Sequence, residues 1–289
     1  MTVNMEEKYH EKKQHGSILF PFNIYPCTIP MDFPSVALHW HKSMEIVYIK
    51  KGMGSVQLGL KKYPAEENDI FVIPPGILHA IRKSGNHVME YENIIFDVDF
   101  LGSGAADVCA QEYLMPLLAG KLLSPVLYTM NSEGYEQISQ CLKEAETLCG
   151  AKGLGYELGV KAVVLKLLYW LIQFQPEPAH KEDSSDTEKL KMVLQEMEDH
   201  YGEDLSVTQM AEKCGWSNSH FMRWFKQMTG SSFITYLNER RLAVAAEELR
   251  RTDDKILVIA EKAGFDNLSH FNRQFKKRYG KTPREYRAI

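Results

Sequence analysis

The stretch Ala211-Glu212-Lys213-Cys214-Gly215-Trp216 returns as Ala260-Glu261-Lys262-Ala263-Gly264-Phe265, at an offset of 49. After one inserted residue the copying resumes at an offset of 50. Ser219-His220-Phe221-Met222-Arg223-Trp224-Phe225-Lys226 becomes Ser269-His270-Phe271-Asn272-Arg273-Gln274-Phe275-Lys276. Gly230 then matches Gly280, and Tyr236 matches Tyr286. Two copies are too few for a solenoid. The repeat reads instead as two related helix-turn-helix units in one chain, and such a pair points to duplex DNA.

Each copy carries its own punctuation. Ser206-Val207-Thr208-Gln209 is a capping-box pattern, so a short helix is predicted over Val207–Cys214 with Met210 and Ala211 turned inward. Gly215 permits the left-handed conformation that ends a helix. Ser217 can cap the next helix, predicted over Asn218–Thr229, whose apolar stripe is Phe221, Trp224, Phe225 and Met228. That leaves Asn218, Ser219, Met222, Arg223 and Lys226 outside. In the second copy Ile256-Leu257 and Ile259-Ala260 are expected to bury one face, Gly264 to turn the chain, and Asp266 or Asn267 to cap. Asn267, Leu268, Ser269, Asn272 and Arg273 are then the outward set. The N-terminal half of a second helix is the part that meets base edges in the major groove. Arg pairs with guanine O6 and N7, and Asn with adenine N6 and N7. Lys226, Lys276, Lys277, Arg278, Lys281 and Arg284 suit phosphates, which position without reading sequence.

Charge follows the repeat. The chain has 289 residues, enough for about two domains, and a net charge of −4. Residues 1–187 hold 16 Lys/Arg against 23 Asp/Glu, while residues 188–289 hold 18 against 15. From Lys213 onward the count is 16 against 8, so positive charge gathers where a phosphate-rich partner would lie. The five cysteines, Cys27, Cys109, Cys141, Cys149 and Cys214, form no C-x-x-C pair. This argues against a zinc finger or a disulfide framework and for reduced, mostly buried thiols. No signal-peptide pattern opens the sequence, and the longest apolar run, near Ala162–Ile172, contains Lys166 and is too short to span a bilayer. A cytoplasmic protein is the expectation.

Residues ~185–289 resemble the DNA-binding domain of the AraC/XylS transcription regulators. The run from Ala260 to Phe265, then Phe271-x3-Phe275-Lys276-Lys277 and Gly280-Lys-Thr-Pro283-x-x-Tyr286-Arg287, is close to that family's signature. The resemblance implies two helix-turn-helix units joined by a long helix, here about Ser232–Arg250. Their recognition helices would enter successive major-groove segments about 34 Å apart on straight DNA. It also implies RNA polymerase as a partner.

The other half is different in kind. From Ile18 to Asp99 short β-branched and aromatic runs, such as Glu45–Ile49 and Ile70–Ile73, alternate with turn signals, which suggests a barrel or sandwich. Within it, His39-x-His41-x3-Glu45-x6-Gly52 and Pro74-x-Gly76-x2-His79 resemble the two cupin motifs. The cupin resemblance implies a small β-barrel in which His39, His41, Glu45 and His79 bind a divalent metal such as Zn, Ni, Fe or Mn. Asn68 and Lys83 stand where the second motif normally has Gly and Asn. The same four residues would equally serve a metal-free polar pocket for a small effector, with a sugar or sugar derivative the leading candidate by analogy. Trp40 and Tyr48 are candidate stacking surfaces for a sugar ring.

From about 105 to 175 the periodicity becomes helical, with Ile138, Leu142, Ala145 and Leu148-Cys149 in one stripe and Leu158, Ala162, Leu165, Leu168-Tyr169 and Ile172 in another. An antiparallel helix pair forming a homodimer interface is expected. The fold class is multi-domain α+β. It comprises a mobile N-terminus (1–17), a cupin-like effector-sensing barrel (18–103), a helical dimerisation segment (104–175), a linker (176–187) and an all-α double helix-turn-helix domain (188–289). The expected function is an effector-controlled, sequence-specific DNA-binding transcription regulator and not an enzyme. The alternative is a metal-dependent cupin enzyme or metal sensor with a DNA-binding domain attached. A DNA-repair methyl acceptor would need a cysteine cluster that the chain lacks.

Overall fold

The computed structural model describes residues 16–17, 19–102, 107–175 and 184–287. The chain divides at residues 181 and 182 into two compact units. Most of the N-terminal segment 1–17, and residues 176–183 of the expected linker, lie outside the described residues.

The first unit is built on two antiparallel sheets. Its strands are β1 (Phe22–Ile29), β2 (Ser35–His39), β3 (Met44–Gly52), β4 (Gly54–Leu58), β5 (Lys61–Ala65), β6 (Ile70–Ile73), β7 (His79–Lys83), β8 (Met89–Phe96) and β9 (Val126–Tyr128). One sheet has the order β1-β8-β3-β6-β9, the other β2-β7-β4-β5. Side chains alternate across each strand, and β3 shows what that does here. Val47 and Ile49 pack with Phe71, Ile73 and Tyr91 and with Val56, Leu58 and Ile81 of the other sheet. Met44, Ile46 and Tyr48 face the opposite way, into a core shared with helices. Both faces of β3 are therefore buried, which is why Met44–Ile49 reads as an unbroken apolar run apart from Glu45.

A short helix, α1 (Met115–Leu118), leads to β9, and the helical hairpin α2 (Tyr135–Ala151) and α3 (Tyr156–Gln173) follows. The segment 104–175 is therefore not wholly helical. Val126–Tyr128 pairs with Ile70–Val72 and forms the edge of the larger sheet. Ile138, Cys141 and Leu142 of α2 and Val160, Val164, Leu167 and Leu171 of α3 cover that sheet. Two polar ties hold the cover down. Lys50 of β3 bridges Glu92 of β8 at 3.1 Å and Glu146 of α2 at 3.0 Å. The Tyr135 hydroxyl donates to the Asn68 carbonyl at 2.7 Å.

The second unit is all helical: α4 (Ser184–His200), α5 (Val207–Cys214), α6 (Asn218–Thr229), α7 (Phe233–Arg251), α8 (Ile256–Lys262), α9 (Leu268–Tyr279) and α10 (Pro283–Arg287). Residues 184–187, expected as linker, are the first turn of α4. Both halves of the Ser206–Gln209 capping box form, and Gly215 ends α5 at φ 73. Ser217 caps α6, accepting from the His220 amide. Asn267 and not Asp266 caps α9, accepting from the His270 amide. Phe221, Phe225, Phe233, Phe271 and Phe275 are fully buried, and each such ring is worth roughly 1.5–3 kcal/mol. Leu257, expected inside α8, is exposed instead. The Arg240 guanidinium forks onto Glu198, and Arg241 donates to the carbonyls of Tyr201 and Glu203 at 2.7 Å each. These bonds tie the connecting helix α7 to the end of α4.

Candidate functional site

The first unit brings together the four residues of the two sequence motifs. His39 ends β2 and pairs with His79 of β7. Glu45 comes from β3 on the facing sheet, and His41 lies in the β2–β3 turn. The donor atoms of all four lie within 4.8 Å of one another. Glu45, His41 and His79 are buried and His39 is half-buried.

The hydrogen bonds fix the chemistry of this cluster. His39 Nδ1 lies 2.9 Å from the Ala37 carbonyl, His41 Nδ1 3.0 Å from the Ser43 carbonyl, and His79 Nδ1 2.8 Å from the Ile77 carbonyl. A carbonyl oxygen can only accept, so each Nδ1 carries a proton. In a neutral ring Nε2 is then the lone-pair nitrogen. His41 Nε2 lies 2.7 Å from Glu45 Oε2, and His79 Nε2 lies 3.0 Å from the same oxygen, outside hydrogen-bonding alignment. Burial pushes the Glu45 carboxyl up, but the charge of His79 and the hydrogen bond and charge of His41 outweigh it and hold it well below its ordinary value. An ionised carboxylate against imidazole lone pairs needs positive charge between them, as a proton or as a metal ion.

Two further residues face this space, and no motif marks them. The register pairs Val47 with Asn93 and Ile49 with Tyr91, so both share the Glu45 face of the sheet. The Asn93 Oδ1 and the Tyr91 hydroxyl are buried without an aligned hydrogen-bond partner. Burial raises the Tyr91 hydroxyl far above its usual value, with Cys27 and Glu45 pushing the same way. Trp40, between His39 and His41 in sequence, is half-buried. Tyr48 is excluded from this site. It stands an odd number of residues from Glu45, so it points to the helix side, where Lys50 Nζ sits 4.6 Å from its ring centre.

The second unit carries the other candidate surface. Asn218, Ser219, Met222, Arg223 and Lys226 of α6 are exposed. So are Asn267, Leu268, Ser269, Arg273, Lys276 and Lys277 in and before α9, with Asn272 half-buried. Lys281 and Arg284 are exposed as well. Arg278 departs from the phosphate set. It is half-buried, 3.7 Å from Glu239 and stacked over Tyr279. One contact was not foreseen: Asn218 Nδ2 donates to Thr208 Oγ1 of α5 at 3.0 Å.

Among the described residues, no helix is long and apolar enough to cross a membrane. Residues 31–168 match the family described as an AraC-like ligand binding domain, and residues 210–289 match a helix-turn-helix domain. Uncharacterized HTH-type transcriptional regulators of Staphylococcus aureus are 34% identical over 133 residues, 46% of this chain, which spans only 18% of their length. The HTH-type transcriptional regulator YdeC of Bacillus subtilis is 22% identical over 99% of this chain and 98% of its own. ToxT from Vibrio cholerae, solved with (E)-4-(8-methylnaphthalen-1-yl)but-3-enoic acid, is 15% identical over 92% of this chain and 97% of its own, with a TM-score of 0.47. The chain belongs to the AraC family, with an AraC-like ligand-binding domain ahead of its helix-turn-helix domain.

Proposed function

We propose that the chain is a DNA-binding transcription regulator whose response is set by a small ligand held between the two sheets of its first unit. The observation that carries the DNA reading is the doubled recognition helix. α6 and α9 are capped alike, and each presents an exposed arginine at the same position, Arg223 and Arg273. Selection of bound sequences from a randomised duplex tests it. A single enriched motif, with affinity falling steeply as salt rises, is the expected result. Equal retention of all sequences would reject it.

For the first unit the donor chemistry favours a divalent metal ion, one of Zn, Ni, Fe or Mn. A metal-bound histidine usually gives its other ring N–H to a carbonyl or carboxylate, which aims the free nitrogen at the ion. His39, His41 and His79 all make that bond to carbonyls. With Glu45 they would fill four positions and leave the remainder open to an effector. A bound ion would polarise an effector hydroxyl or carboxylate. Asn93 and Tyr91 would offer hydrogen bonds beside it. A sugar held by aromatic stacking fits less well, because Tyr48 lies on the other face. An effector that coordinates the ion through oxygen is the favoured class, and a sugar derivative with such oxygens belongs to it. Elemental analysis of protein incubated with Zn2+ or Ni2+ and then desalted checks the site. The expected outcome is near-stoichiometric metal in the wild type and its loss in His79→Gln and Glu45→Gln. Equal, trace metal in all three would remove the ion from the proposal.

The outer face of α3 supports a homodimer. Leu158, Ala162, Leu165 and Tyr169 are exposed at spacings of four, three and four. That is the seam along which two helices pack. The second copy of this chain is the occupant the spacing suits.

A further inference from the structure

The two recognition helices are alike in fold and unlike in the order of their reading side chains. Their caps set a common register. Ser217 accepts from His220 N and Asn267 from His270 N, so positions correspond one to one from there. Ser219 answers to Ser269 and Arg223 to Arg273. The first and fifth positions of each helix lie on one face, four residues apart. In α6 they are Asn218 and Met222, an amide followed by an apolar thioether. In α9 they are Leu268 and Asn272, an apolar group followed by an amide. Met222 is 47% exposed and Leu268 36%, so neither belongs to the core.

A second change accompanies the first. Thr208, which holds the Asn218 amide, corresponds to Leu257 in α8, which is exposed. Two positions on different helices are thus polar together in one unit and apolar together in the other. Thr208 takes one hydrogen of the Asn218 amide. The other hydrogen and Oδ1 remain, which is the pair that adenine N7 and N6 require. Leucine has no hydrogen bond to offer and the methionine thioether is only a weak acceptor, so both suit the thymine methyl.

Resting on the DNA-binding reading above, we infer that the operator consists of two unlike subsites that share a guanine. The shared guanine meets Arg223 in one subsite and Arg273 in the other. The adenine and thymine preferences beside it come in opposite order. The two subsites are then not interchangeable, and the chain lies on its operator in one order only.

Sequence selection with the full-length chain tests this. Wild type should yield two blocks about 10 base pairs apart, each with the guanine, and with the neighbouring preferences exchanged. Asn218→Leu/Met222→Asn should make the two blocks alike. Adding Leu268→Asn/Asn272→Met should make them trade places. Exchanging the blocks of the wild-type operator should weaken wild type by roughly five- to 150-fold per mismatched base pair. Circular dichroism checks that the variants fold; Asn218, Met222 and Leu268 are exposed and Asn272 is half-buried. Identical wild-type blocks, or a motif unmoved in the folded double variant, would overturn the inference while leaving DNA binding intact. A wild type that selects no motif would overturn both.

Discussion

Arg223 and Arg273 share a position, a cap register and a solvent face, so they are expected to act alike. Arg223→Ala and Arg273→Ala should each weaken specific binding by about 1–3 kcal/mol and relax preference at one base pair. Lys276→Ala should weaken all sequences evenly and flatten the salt slope by about one. Fluorescence anisotropy on matched and scrambled duplexes separates the two behaviours. If both arginine variants bind the operator as tightly as wild type, the reading residues are misassigned. The turn glycines make a second pair. Gly215 (φ 73) has open space where a Cβ would go. At Gly264 (φ 84) a Cβ would lie 2.7 Å from the Tyr201 carbonyl and 2.8 Å from Arg241 Nε. Gly215→Ala carries only the cost of left-handed backbone, about 1 kcal/mol. Gly264→Ala must also displace the Arg241–Tyr201 hydrogen bond, so thermal unfolding should show the larger loss there. Equal losses would mean the crowding at Gly264 relaxes freely. At this scale the sequence was legible where a motif or a repeat fixed the spacing: His39, His41, Glu45 and His79 were visible as a set. Tyr48 was misjudged because nearness in sequence to Glu45 hid its opposite parity. Asn93 and Tyr91 were invisible because only strand register places them on the Glu45 face of the sheet.

Helices bounded by caps were legible to the residue. Ser206, Gly215 and Ser217 delimit α5 and α6 at the predicted ends. Polar composition was a poorer guide. The run Ser184-Ser185-Asp186-Thr187 reads as linker, yet it is equally good first-turn chemistry for α4. In α3 apolar residues cover nearly the whole circumference. Of the expected stripe, Leu158, Ala162, Leu165 and Tyr169 face outward, whereas Leu168 is buried with Val160, Val163, Val164, Leu167 and Leu171, and Ile172 packs partly against that core. The periodicity was real and its direction was not readable, because both sides of the helix repeat at helical spacing. That outward stripe is testable as an interface. Leu158→Glu/Leu165→Glu should leave folding intact and turn a dimer into a monomer in sedimentation at micromolar concentration. A wild type that already sediments as a monomer would rule the interface out.

For the whole molecule, the division into a strand-rich first unit and a helical second unit was readable from charge and periodicity. The boundary at residue 103 was not a boundary between folded units, since a three-residue strand gives no periodic signal. β9 sits beside β6, whose Ile70-Phe71-Val72-Ile73 is buried throughout. A fragment ending near residue 103 would lose that neighbour and the helical cover over the other face of the sheet. It would present a bare row of amides and carbonyls flanked by apolar side chains, the arrangement that recruits strands from other chains. Val126–Tyr128 is therefore also a guard against aggregation, and a nascent chain remains vulnerable at that edge until this strand has been synthesised.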